Sequence, residues 1–278
     1  MIRIYLCEDS LPGILTAVST AYEERRGHAN NKIQVREEGL TAELFSEYQD
    51  VETDPEKAEK VYRAIYEKIG ADALGMVESV ALSHEEGKGE LIYRFLILGF
   101  ANGPAVTAYV KDLNVYQMLK VNRRISNESH HWVEFLRFQV YDRLLPERKS
   151  NDLLPVLLGG DQSNEILIAR IGPKEKVLPR VMPHFADRFH GATFLIYDET
   201  HDMLGIYRPG LQWVLYEQIS GVFPEIPELF SRKNETERQM EDLWKVFFEA
   251  TDIKERENLK VQRNLLPLWH RKYMTEFN

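Results

Sequence analysis

The sequence predicts an α+β fold, on three observations. The first half carries helix-spaced apolar stripes with recognisable caps, the middle breaks into short β-rich runs between turn segments, and the last part returns to amphipathic helix. Residues 1–125 therefore read as mainly helical, 126–230 as a β-rich core containing an antiparallel meander, and 231–278 as C-terminal helices with basic character.

Taken in order, Ile2–Cys7 alternates as a strand does, and Asp9-Ser10 offers an N-cap before Leu11, Ile14, Leu15, Val18 and Tyr22 at helical spacing. From Glu43 to Lys60 seven acidic residues outnumber Lys57 and Lys60, a balance of −5 that reads as a solvated connection repelling phosphate. Thr53 and Glu56 stand at capping-box spacing around Pro55, whose missing N–H costs little at a first helical position. Ala58, Val61, Tyr62, Ile65, Tyr66 and Ile69 then form one apolar face, which Gly70 ends. Leu91–Phe100 reads as a buried helix and Val115–Leu119 lies in another. Ser126 or Asn127 caps a segment running through His130, His131 and Phe135.

Four β-rich runs follow, Ile166–Ile171, Thr193–Tyr197, Met203–Tyr207 and Trp213–Tyr216, the last three spaced as the meander. Glu147–Gln162, with Pro155, Gly159 and Gly160 inside it and Pro146 before it, reads as a long loop. Asn234 caps a strong helix carrying Met240, Leu243, Trp244, Phe247 and Phe248.

Composition narrows the chemistry. The 278 residues carry a net charge of −9, so any grip on nucleic acid must come from a local basic face. The single cysteine, Cys7, cannot by itself build a disulfide, a thiolate zinc site or an iron–sulfur cluster. Apolar runs such as Phe95–Ala101 and Leu153–Leu158 fall well short of the ~20 residues of a bilayer-spanning helix, and Arg3, Glu8 and Asp9 spoil a signal peptide. The expectation is a cytoplasmic protein with no membrane segment, no cofactor and no metal. GxGxxG, Walker, HExxH and GxSxG patterns are all missing.

Three segments embed polar residues in apolar surroundings. Glu128–Phe138 holds His130, an imidazole suited to proton transfer, and Arg137; a satisfied core histidine is the alternative for His130. In Leu178–Phe189, a helical turn opened by Pro183 would put His184 and Arg188 on one face as a fork of donors for phosphate or carboxylate, against structural ion pairs and a cap. Arg256–Lys272 carries Arg256, Lys260, Arg263, Arg271 and Lys272 against Glu257 alone, a balance of +4, with Trp269 and Tyr273 as stacking surfaces. Lys120, Arg123, Arg124, Arg137 and Arg143 could extend that face.

In order and spacing these segments resemble a bacterial family with a domain of unknown function, described as DNA metabolism or repair proteins. Its members accompany a DNA-repair radical SAM protein and some are fused to a uracil-DNA glycosylase-like domain. Glu128, His130, Phe135, Arg137 and Phe138 fit its first motif, His184, Phe185, Ala186 and Arg188 its second, and Arg256, Asn258 and Gln262 its third; with Ile2–Tyr22, Thr53–Ile69 and Leu243–Glu276 the likeness spans 1–278 as one unit. The resemblance implies an accessory protein that binds DNA or a radical SAM partner. The residues then lead to the expectation that His130, Arg137, His184, Arg188, Arg256 and Asn258 converge on one polar pocket, with Arg137, Arg188, Arg256, Asn258, Gln262, Arg263, Arg271 and Lys272 holding DNA. A cofactor-independent nuclease or base hydrolase using His130 or His184, and a purely structural adaptor, are the competing expectations.

Overall fold

The computed structural model describes residues 2–36, 43–142, 165–223, 226–230, 235–251 and 253–277. The long loop read at Glu147–Gln162, the run Leu153–Leu158, Arg143 and the Asn234 cap lie outside these. The chain forms two compact units, Met1–Asn127 and Glu128–Asn278.

Unit 1 is mainly helical, as the sequence predicts, around a small parallel sheet. Strand β1 (Ile2–Cys7) leads into α1 (Leu11–Glu23), capped by the Ser10 hydroxyl, which accepts from the Gly13 N–H at 3.1 Å. β2 (Asn31–Val35) and β3 (Ser46–Asp50) pair parallel with β1 on either side, giving the order β2-β1-β3. Part of the acidic stretch read as a solvated connection is thus a strand. Its residues Ser46-Glu47-Tyr48-Gln49-Asp50 show no apolar alternation because none is fully buried; backbone pairing to β1 holds this edge.

Helix α2 (Pro55–Lys68) starts at Asp54, not Thr53: the Asp54 carboxylate accepts from the N–H groups of Glu56 and Lys57 at 2.9 and 3.1 Å, while Thr53 donates to Glu8 at 2.7 Å. Gly70, at a φ of 109° that a side chain would strain, turns the chain from α2 into α3 (Ala71–Ala81). α4 (Lys88–Asn102) buries Ile92, Tyr93, Phe95 and Leu96 with Ile4, Ile14, Ile33 and Ile65 in the core of this unit. With the 3₁₀ turns after it, Lys88–Ala108 is 21 residues long and apolar enough to cross a bilayer by length and composition, the one such stretch among the described residues. A core helix passes the same test, and Arg94 with its Glu90 partner at 2.6 Å breaks this one with charge. α5 (Leu113–Phe135) runs unbroken through Ser126 and Asn127, which therefore cap nothing, and the division between units falls within it.

Unit 2 is built on a five-stranded sheet in the order β4-β5-β6-β7-β8. β4 (Gln139–Asp142) and β5 (Glu165–Ile171) pair antiparallel; β5 and β6 (Phe194–Asp198) pair parallel; β7 (Met203–Tyr207) and β8 (Val214–Glu217) continue antiparallel. The sheet is mixed because α6 (Leu178–Arg188) forms the crossover from β5 to β6. α6 opens with Pro179, and Pro183 lies inside it rather than at its start. It packs on β7 at Gly205, where a Cβ would stand 2.3 Å from the Met182 sulfur. Tyr141, Ile168, Leu195, Tyr197, Leu204 and Ile206 join a core cluster with Ile219 of α7 (Ile219–Val222), Ile226 of α8 (Ile226–Leu229) and Phe230. α9 (Glu235–Thr251), α10 (Leu259–Leu265) and the 3₁₀ turns Leu268–Tyr273 and Thr275–Phe277 complete the unit.

Candidate nucleic-acid interface

The β4–β5 edge of the sheet, α9 and the C-terminal 3₁₀ turns enclose a cleft of about 570 Å³. Gln139, Ile168, Ala169 and Arg170 form its floor, Glu241, Trp244 and Lys245 come from α9, and Lys272, Tyr273, Met274 and Thr275 from the end of the chain, with Arg137, Phe138 and Phe230 beside them. Four cations and four aromatic residues from distant stretches of sequence thus line one concavity.

Two carboxylates hold this arrangement in place. Glu276 accepts from Arg137 at 2.9 Å and from the Trp244 indole N–H at 3.3 Å, tying α9 to the residues before β4. Glu199, just after β6, accepts from Lys272 at 2.8 Å and from the Tyr273 hydroxyl, with the Arg170 guanidinium 3.5 Å away. Burial would raise the Glu199 pKa, but the Lys272 and Tyr273 donors outweigh it and hold the carboxyl below its ordinary value. Burial and the Glu199 carboxylate push the Tyr273 hydroxyl upward, so it stays a donor at neutral pH. Gly172 makes this possible: a Cβ there would lie 1.8 Å from the Tyr273 oxygen. The Arg137, Arg170 and Lys272 side chains keep 35%, 38% and 60% of their surface exposed, so each can meet an anion while paired behind.

Of the residues expected from sequence to contact DNA, Arg137 and Lys272 line this cleft. Arg256, Asn258 and Gln262 share a second, shallower hollow of about 450 Å³ with Phe248, Ile253 and Val261. Two of these have local work: Asn258 caps α10, accepting from the Val261 N–H at 3.0 Å, and Gln262 accepts from Arg271 at 3.1 Å. Arg271 also lies over the Phe277 ring at 4.4 Å, and Arg263 is exposed on α10. His184 and Arg188 do share a face of α6, but that face is exposed and neither residue lines the cleft or the second hollow, so they do not join Arg256. His130 is exposed on α5, also outside the cleft lining. Among the described residues no group of three or more His, Cys, Asp or Glu gathers as metal ligands would.

Sequence reasoning passed over the cleft residues Arg170, Trp244 and Lys245, and Glu276, which braces Arg137 and Trp244 from behind. The signal for Arg170 was available, a cation inside the apolar run Ile166–Ile171. Next to the cleft, Trp269 is not a free stacking platform; it packs 5.6 Å from Trp132 and 3.9 Å from His270, with the Lys174 ammonium 5.4 Å from its ring. His270 is 1% exposed with neither ring nitrogen hydrogen-bonded, and burial, then the His131 and Lys174 charges, lower its pKa to about 4. Glu128 is buried nearby in sequence to His130 and accepts from the Lys174 N–H at 2.6 Å; burial raises its pKa although that hydrogen bond opposes the rise.

Residues 86–276 match a family described as a domain of unknown function, DUF4130, which is more than two thirds of the chain. The chain belongs to the DUF4130 family. Every residue of the cleft falls inside the DUF4130 region, whereas the β2-β1-β3 sheet and α1 to α3 precede it. No curated protein and no solved structure matches the chain.

Proposed function

We propose that the DUF4130 cleft binds single-stranded DNA, as an accessory protein of DNA repair or metabolism. The observation that carries the reading is the meeting of Arg137, Arg170, Lys245 and Lys272 with Trp244 and Tyr273 around one concavity large enough for a nucleotide. The cations take phosphate and the exposed Trp244 ring takes a base, a mode tolerant of sequence because every base has a π-face, while Tyr273, packed 5.2 Å from Trp132, braces the wall. A radical SAM repair protein, the partner implied by the family resemblance, belongs to the same proposal, since one cysteine cannot hold an iron–sulfur cluster here. His130 and His184 stand outside the cleft lining, so the cleft lends no support to the hydrolase reading.

The test reverses charge at two exposed or half-buried cleft lysines. Lys245→Glu with Lys272→Glu is expected to weaken binding of a fluorescent thymidine oligonucleotide at least about tenfold, the sum of two lost phosphate contacts and two repulsions. Circular dichroism and thermal melting on the same preparation confirm folding. Unchanged affinity in a folded variant overturns the cleft as the binding site.

A further inference from the structure

Helix α9 presents a second face that the cleft does not use. Glu241, Trp244 and Lys245 look into the cleft. At 100° per residue Met240, Leu243, Val246 and Phe247 gather on another side, and these four are between 57% and 65% exposed. A contiguous strip of large apolar side chains in water is the mark of an interaction surface.

Charge says what covers it. Glu235, Asp242 and Glu249 are exposed and repeat every seven residues, so they form one row of carboxylates along an edge of the strip. Across Glu235–Thr251 five acidic residues stand against Arg238 and Lys245. A second copy of this chain is a poor fit. Antiparallel pairing would set Glu235 against Glu249 and Asp242 against its own copy, and parallel pairing would lay the row across Met240 and Phe247. Nucleic acid and anionic lipid are repelled by the same row.

We propose that this face docks a basic amphipathic helix of a partner protein, whose apolar stripe covers Met240, Leu243, Val246 and Phe247 and whose Lys and Arg flank meets Glu235, Asp242 and Glu249. The geometry is that of a helix laid along a helix, with charge choosing the partner and fixing its direction. None of the four apolar residues lines the cleft, although Phe247 packs 5.8 Å from the Trp244 ring; a charge swap at Asp242 and Glu249 leaves both rings in place and so tests this surface independently of DNA binding.

The test uses the full chain and two synthetic helical peptides of three heptads with identical apolar positions, one flanked by Lys and the other by Glu, read by fluorescence anisotropy near physiological salt. The Lys peptide is expected to bind at least about tenfold more tightly than the Glu peptide. Leu243→Asp with Phe247→Asp is expected to remove that binding, and Asp242→Lys with Glu249→Lys to turn the preference toward the Glu peptide. Should the first pair disturb folding by circular dichroism, the charge-swapped pair carries the test alone, since its side chains are exposed. Equal binding of the two peptides, binding that survives the folded Asp pair, or a preference unmoved by the charge swap overturns the proposal. So does a dimer by sedimentation that the Asp pair dissolves, because the occupant is then a second copy.

Discussion

His270, to which the sequence reading assigns no role, is energetically singular in the fold. Its ring is enclosed by Trp132, Trp269 and His131 with both nitrogens unpaired, and its pKa falls from 6.5 to about 4. A histidine whose folded pKa is lowered supports the fold only above its ordinary value. That support is lost as pH falls from about 6.5 toward 4, amounting to about 3 kcal/mol once the folded group is protonated. The lowered Glu199 pKa acts in the same direction, and the raised Glu128 pKa opposes it. His270→Phe keeps the aromatic packing and removes the titration, so its stability relative to the parent should rise steadily between pH 7 and pH 4.5 in urea unfolding. A difference that does not change with pH removes His270 as the source. The sequence marked Trp269-His270-Arg271-Lys272-Tyr273 as basic and aromatic, which holds for Lys272 and Tyr273. It could not tell that Trp269 and His270 turn inward, because burial depends on Trp132, more than a hundred residues away.

At the scale of elements, legibility followed the period of the side chains. α1, α2 and α4 carry apolar stripes and were readable, as were Met203–Tyr207 and its neighbours, whose apolar runs are bounded by turns. β3 was not, because an edge strand of polar residues is specified by backbone hydrogen bonds to β1 that no side-chain pattern announces. The β5–α6–β6 crossover was missed for a related reason: Pro183 suggested a helix start, whereas Pro179 begins the helix and Pro183 is tolerated on its exposed side. What fixes α6 on the sheet is Gly205. A Cβ there would meet the Met182 sulfur at 2.3 Å and two further atoms of the same side chain at 3.0 Å. Gly205→Ala is therefore expected to cost about 1–3 kcal/mol through overpacking. In a Met182→Ala background the same change should cost at least about 1 kcal/mol less, because the clashing atoms are gone. Equal costs in the two backgrounds, measured by chemical denaturation, show that the close approach of α6 to β7 is not what Gly205 serves.

For the whole molecule, the charge balance makes the cleft an exception on its own surface. Unit 1 has 20 acidic against 15 basic residues and unit 2 has 24 against 20, so a polyanion approaching anywhere but a cationic hollow is repelled on average. The basic balance of +4 at Arg256–Lys272 looked in sequence like one continuous face. In the fold it is dispersed among a helix cap, an internal Arg271–Gln262 pair and the cleft, while Arg170 and Lys245 arrive from elsewhere. Binding confined to a cleft with four cations has two measurable consequences. A strand of about four nucleotides should bind nearly as tightly as one several times longer, once the extra registers on the longer strand are allowed for. With four phosphates at most neutralised, the logarithm of affinity should fall against the logarithm of salt with a slope no steeper than about −3, or about 50-fold between 50 and 200 mM. Fluorescence titrations over strand length and salt read both. A longer strand that gains tenfold beyond the register allowance, or a slope well beyond this limit, requires a second cationic track outside the cleft and would move the binding site there.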